Sequence, residues 1–104
     1  MNIAIIGTGN VGGALAKSLA SVGHRILLGA KEPEAEEAQA LTRFHNSISA
    51  HSVRSAALQA EVLIIAVTPS AIVEIAPQLG DLADKVVIDS MNAFNSRPVP
   101  YAGT

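Results

Sequence analysis

Short, continuously apolar runs alternate with stretches of helical spacing along the chain, and this alternation restricts the fold more than any other feature. Asn2 to Ile6, Arg25 to Leu28, Glu61 to Val67 and Lys85 to Asp89 read as strands, with Val62-Leu63-Ile64-Ile65-Ala66-Val67 and Val86-Val87-Ile88 the clearest. Strands apolar on both faces suit a parallel sheet that is covered on both sides. Ser47 to His51 is a weaker strand, with polar residues between Ile48 and Ala50. Between the first two strands, Val11, Ala14, Leu15, Ser18, Leu19 and Val22 predict one small-residue-rich helical face, closed by Gly23. Pro33 opens a second helix, with Glu34, Glu36 and Glu37 in its first turn, running to about Arg43. Val53 to Ala60 is a third helix. Ser70 to Leu79 is a fourth, with Ser70 as N-cap and Ile72, Val73, Ala76 and Leu79 inward. Pro77 bends that helix or ends it early.

Strands alternating with helices require right-handed crossovers. The expected fold class is therefore α/β, a Rossmann-type doubly wound parallel sheet of about five strands in the order 3-2-1-4-5. The 104 residues suffice for one such domain and little else. Residues 1–92 read as the domain, and 93–104, with Pro98 and Pro100, as a loop-like tail. Ligands of such sheets bind at the carboxyl ends of the strands, where the strand order reverses. The segments that face this point are Gly7 to Gly12, Thr68 to Ser70 and Ser90 to Asn92.

Gly7-Thr8-Gly9-Asn10-Val11-Gly12 is a G-x-G-x-x-G loop that follows a strand and opens a helix. In that context it is a dinucleotide fingerprint. Gly7 permits the tight turn, Gly9 lets the backbone approach a pyrophosphate, and Gly12 lets helix and strand pack closely. The unpaired N–H groups of the helix start face the anion. An ordinary strand-to-helix glycine turn is the bland alternative.

NAD binders commonly place an acid at the end of the second strand, to bond the ribose 2′-hydroxyl. Here that position is Ala30, followed by Lys31, whose charge suits a 2′-phosphate. This favours NADP over NAD as cofactor. Glu32 opposes it if it points inward, and a solvated surface lysine is the plain alternative for Lys31.

Met1 to Gly13 (MNIAIIGTGNVGG), His24 to Lys31 (HRILLGAK), Val62 to Pro69 (VLIIAVTP) and Lys85 to Asn92 (KVVIDSMN) carry a resemblance. Together they resemble the NADP-binding domain of the NADP oxidoreductases that reduce the deazaflavin coenzyme F-420. That family is grouped with the N-terminal domain of pyrroline-5-carboxylate reductases. The resemblance implies that Thr8, Gly9, Asn10, Val11 and Gly12 hold the pyrophosphate. It implies that Val67, Thr68 and Pro69 line the nicotinamide ribose with Ile72 nearby, and that Ser90, Met91 and Asn92 approach the nicotinamide. The family often has Ser-Arg where this chain has Ala30-Lys31, so the cation is kept in kind and the hydroxyl is lost. Lysine is a point charge without the planar fork of arginine, which weakens the preference for NADP. The resemblance also implies a C-terminal part, with another strand and further helices, that completes the substrate site. The chain thus reads as the cofactor-binding half of an oxidoreductase acting on an unknown small molecule. A stand-alone nucleotide-binding or redox-sensing module without catalysis is the alternative.

Composition excludes other classes. Net charge is −2 with no basic stripe, which argues against nucleic acid as a partner. No apolar run approaches the roughly 18 residues of a membrane span, and no targeting segment follows Met1, so a cytoplasmic protein is expected. The absence of cysteine excludes a disulfide scaffold and a cysteine nucleophile. His24, His45 and His51 are too scattered to suggest a metal site. Asp89 has a structural role as its plainer reading. Hydride transfer needs no protein nucleophile, because the cofactor carries the chemistry. A sheet edge without a neighbour gives a homodimer a reason to form.

Overall fold

A computed structural model describes residues 1–90. Asn92 and the tail from Ala93 to Thr104 lie outside the described residues. The elements run in order β1 (Asn2–Ile6), α1 (Asn10–Ser21), β2 (Arg25–Ala30), α2 (Glu36–Phe44), β3 (Ile48–Ser52), α3 (Val53–Gln59), β4 (Val62–Ile65), α4 (Pro69–Ile75) and β5 (Val86–Asp89). A 3₁₀ turn, Ala76–Gln78, follows α4. The strands form one sheet in the order β3-β2-β1-β4-β5, with every neighbouring pair parallel. This is the order expected from the sequence, and the weak third strand takes its place at one edge.

β1 lies at the centre, and its side chains alternate between two cores. Ile3 and Ile5 join Ile26, Leu28, Ile48 and Ile64 beneath α1 and α2. Ala4 and Ile6 join Leu27, Leu63 and Ile65 beneath α3 and the segment around Leu79. Because successive strand residues point to opposite faces, a doubly covered strand must be apolar at every position. That is why the central strands carry no polar alternation.

Several local expectations are corrected by the packing. The buried positions of α1 are Gly12, Gly13, Ala16 and Ala20, with Leu15 and Leu19 packed at their flank. Ala14 and Ser18 are exposed, and Val22 is 71% exposed. Small residues let the helix backbone come close to its neighbours: Gly12 faces the end of β1, Gly13 faces Leu41 of α2, and the larger leucines fill the sides. Gly23 follows the helix with φ +100°, a conformation open to glycine.

Pro33 does not open α2. The Ala35 amide donates to the Glu32 carbonyl in a preceding turn, and the helix starts at Glu36. The Gln39 side-chain amide reaches back to the Pro33 carbonyl at 2.8 Å. Glu36 and Glu37 therefore occupy the first helical turn, and Glu34 lies before it.

Ser70 is not the cap of α4. Thr68 is the N-cap and Pro69 the first helical residue, a place where the missing proline N–H costs nothing. Ile72 and Ile75 pack on the core, which turns Val73 (78% exposed) and Ala76 outward. The helix gives way to the 3₁₀ turn that contains Pro77, as the proline required. β5 also departs from the expected burial on both faces: Val86, Val87 and Ile88 are all exposed. It is an edge strand, paired among the described residues with β4 alone.

Candidate functional site

The register of the sheet builds the site. Ile6 stands beside Gly29 and Ile65, and Ile65 beside Asp89. The carboxyl ends of β1, β2, β4 and β5 therefore finish at one level, and the residues that follow them meet there. The Gly7 amide donates to the Gly29 carbonyl at 3.0 Å, and the Ala66 amide to the Ile6 carbonyl at 2.8 Å. Ser90 donates twice to the Ile65 carbonyl, through its amide at 3.0 Å and its hydroxyl at 2.7 Å.

Gly7 turns out of β1 with φ +117°, where an L side chain is strained. A Cβ on Gly12 would fall on the Gly7 carbonyl oxygen. A Cβ on Gly9 would meet nothing within 4 Å, so the loop backbone there is open to an approaching group. Gly9 is the N-cap of α1, and among the described residues no side chain caps it. The first turn of α1 contains no acid either. The amides of its first residues thus keep their unpaired N–H groups and their partial positive charge. This fits a pyrophosphate: the glycine cradle is one that a Cβ would fill, and the helix end is uncompensated.

Two hollows flank the loop. One, of about 250 Å³, is lined by Gly7, Thr8, Ala30, Lys31 and Val67 from the expected set. Gly29, Val53, Ala71, Glu74, Ile75 and Gln78 complete it. The other, of about 450 Å³, lies over Thr8, Gly9 and Asn10, between α1 and α2. A third hollow of about 330 Å³ joins Thr8, Ala30 and Lys31 to Glu32, Ala35 and Glu37. Thr8 lines all three. Val11 and Gly12 belong to the first turn of α1. Thr68 and Pro69 start α4, and Ile72 packs against the core. Asn92 and Met91 lie outside the described residues.

Ala30 ends β2 and is buried, and Lys31 leaves it for solvent. The Lys31 ammonium is bound by the Glu74 carboxylate from α4, at 3.0 Å to Oε1 and 3.4 Å to Oε2. Sequence reasoning missed Glu74 and its neighbours. The only signal was spacing: Ala71, Glu74, Ile75 and Gln78 recur on one side of a helical turn.

Known proteins share this fold. The model of the family described as NADP oxidoreductase, coenzyme F420-dependent, matches residues 2–93. No curated protein matches the chain. Among solved structures, a candidate F420-dependent NADP-reductase from Arthrobacter sp. FB24 is 27% identical with a TM-score of 0.76, covering 86% of this chain and 44% of that one. A hypothetical protein from Sinorhizobium meliloti is 30% identical with a TM-score of 0.77, covering 100% of this chain and 52% of that one. A pyrroline-5-carboxylate reductase from Coxiella burnetii shares the fold, at 24% identity and a TM-score of 0.69, covering 85% of this chain and 34% of that one. The chain thus spans about half the length of these structures or less. With the family model covering most of the chain, it belongs to the NADP oxidoreductase, coenzyme F420-dependent family.

Proposed function

We propose that residues 1–92 form the NADP(H)-binding domain of an oxidoreductase that transfers hydride between NADP and a small acceptor. The family description and the Arthrobacter relative support a deazaflavin coenzyme as the acceptor class. The observation that carries the reading is the uncapped, acid-free start of α1 behind the Gly7–Gly12 loop, at the point where the strand order reverses. When bound, the nicotinamide supplies the hydride chemistry. The chain's own part is to bind and orient. The amides of Gly9 to Gly12 receive the pyrophosphate, and the hollow walled by Val53, Val67, Ala71 and Ile75 takes an apolar ring. Lys31 stands at the end of β2, where a 2′-phosphate would lie. Val67, Thr68 and Pro69 extend toward the nicotinamide ribose, and Ser90 to Asn92 toward the nicotinamide.

Calorimetric titration tests this reading. NADPH is expected to bind, and NADH to bind more weakly. No heat with either nucleotide overturns it. Hydride transfer itself is tested by following NADPH oxidation with a deazaflavin acceptor. A cytoplasmic location goes with this reading; among the described residues no helix is long and apolar enough to cross a membrane. The exposed apolar edge at β5 supports a homodimer, which sedimentation would detect.

A further inference from the structure

We propose that Glu74 sets the dinucleotide selectivity of the site by holding Lys31 and competing with a 2′-phosphate for its charge. This rests on the nucleotide-binding reading above. Lys31 follows β2 and Glu74 sits on α4, so the two approach from different elements and both line the 250 Å³ hollow. Both oxygens of the carboxylate reach the ammonium. The side chains are 77% and 60% exposed, so the pair seals no core and contributes little to folding. Its consequence falls on whatever anion approaches Lys31.

The charge around Lys31 is unbalanced. Glu74 faces it across one hollow, and Glu32 and Glu37 line the hollow on its other side. Lys31 is the single cation lining these two hollows among the described residues. A phosphate monoester brings nearly two further negative charges at neutral pH. It must draw Lys31 away from Glu74 and then stand beside a freed carboxylate. A ribose 2′-hydroxyl meets neither obstacle, and a carboxylate can accept its hydrogen bond. Glu74 therefore lowers the affinity for NADPH while leaving that for NADH nearly unchanged. An acid donated by α4, and not by the end of β2, performs this discrimination.

The test is Glu74→Gln in the full chain, which keeps the size of an exposed side chain and removes its charge. Affinities for NADPH and NADH are measured by calorimetry at low salt and at about 0.5 M salt. NADPH should tighten about three- to fivefold at low salt, the upper end for exposed charge pairs, while NADH changes less than about twofold. The gain should shrink at the higher salt, where the screening length falls to a few ångström. In a Lys31→Ala background the gain should fall to the part owed to direct carboxylate–phosphate repulsion, less than about twofold between exposed groups. Unchanged NADPH affinity, equal changes for both nucleotides, or an undiminished gain without Lys31 overturns the role of Glu74 and leaves nucleotide binding standing. Absence of binding by either nucleotide to either protein overturns the nucleotide reading, and this inference with it.

Discussion

The Gly12 Cα and the Gly7 carbonyl are packed so closely that no side chain fits between them. The first turn of α1 is thereby drawn onto the end of β1, and its amides are held at the carboxyl edge of the sheet. Gly12→Val places branched carbons against backbone that cannot yield. The variant should lose measurable NADPH binding. Circular dichroism then separates a distorted loop from a lost fold. Wild-type affinity in a folded variant would show that the close approach is unnecessary.

Lys31 is exposed, so its removal should leave the fold intact. Lys31→Ala is expected to weaken NADPH about three- to fivefold, the upper end for an exposed ionic contact, and to leave NADH nearly unchanged. Competition titrations with both nucleotides check this. Equal losses would remove Lys31 from 2′-phosphate recognition.

Leu63 is fully buried on β4 in the core that also holds Ala4, Ile6, Leu27 and Ile65. Leu63→Ala removes apolar contact and leaves a cavity that a sheet backbone can close only in part. The expected loss is about 2–5 kcal/mol of unfolding free energy. A urea titration measures it, and a loss below about 1 kcal/mol would mean that the layer collapses freely.

Ser52 ends β3 and caps α3, accepting the Ser55 amide on its hydroxyl oxygen at 3.1 Å. Ser52→Ala should cost about 1 kcal/mol. Faster hydrogen exchange at the Ser55 amide should accompany that loss, and unchanged exchange would count against the cap.

The apolar runs and the glycine loop made much of the site legible. Gly7, Thr8, Ala30, Lys31 and Val67, chosen from three separate segments, line one hollow. They could be chosen because a strand end, a helix start and a left-handed glycine are local properties, set by sterics within a few residues. The face of α1 was less legible. Periodicity points to a face through Val11, Ala14, Leu15, Ser18, Leu19 and Val22, whereas packing buries the neighbouring small residues Gly12, Gly13, Ala16 and Ala20. The exposure of β5 was hidden for a related reason. Val86-Val87-Ile88 has the same apolar pattern as an inner strand, and only its position at the edge leaves it uncovered.

The sequence by itself determined the alternation of strands and helices, the parallel doubly wound class of sheet and the glycine loop after the first strand. These follow from side-chain period, crossover handedness and glycine's freedom from a Cβ. Only the tertiary structure decided the partner of Lys31. That contact joins residues 43 positions apart. It exists because the parallel register levels the ends of β2 and β4, and because the core contacts of Ile72 and Ile75 turn Glu74 toward the hollow. Local patterns state which residues want burial or charge. Which charge meets which depends on how separate elements pack.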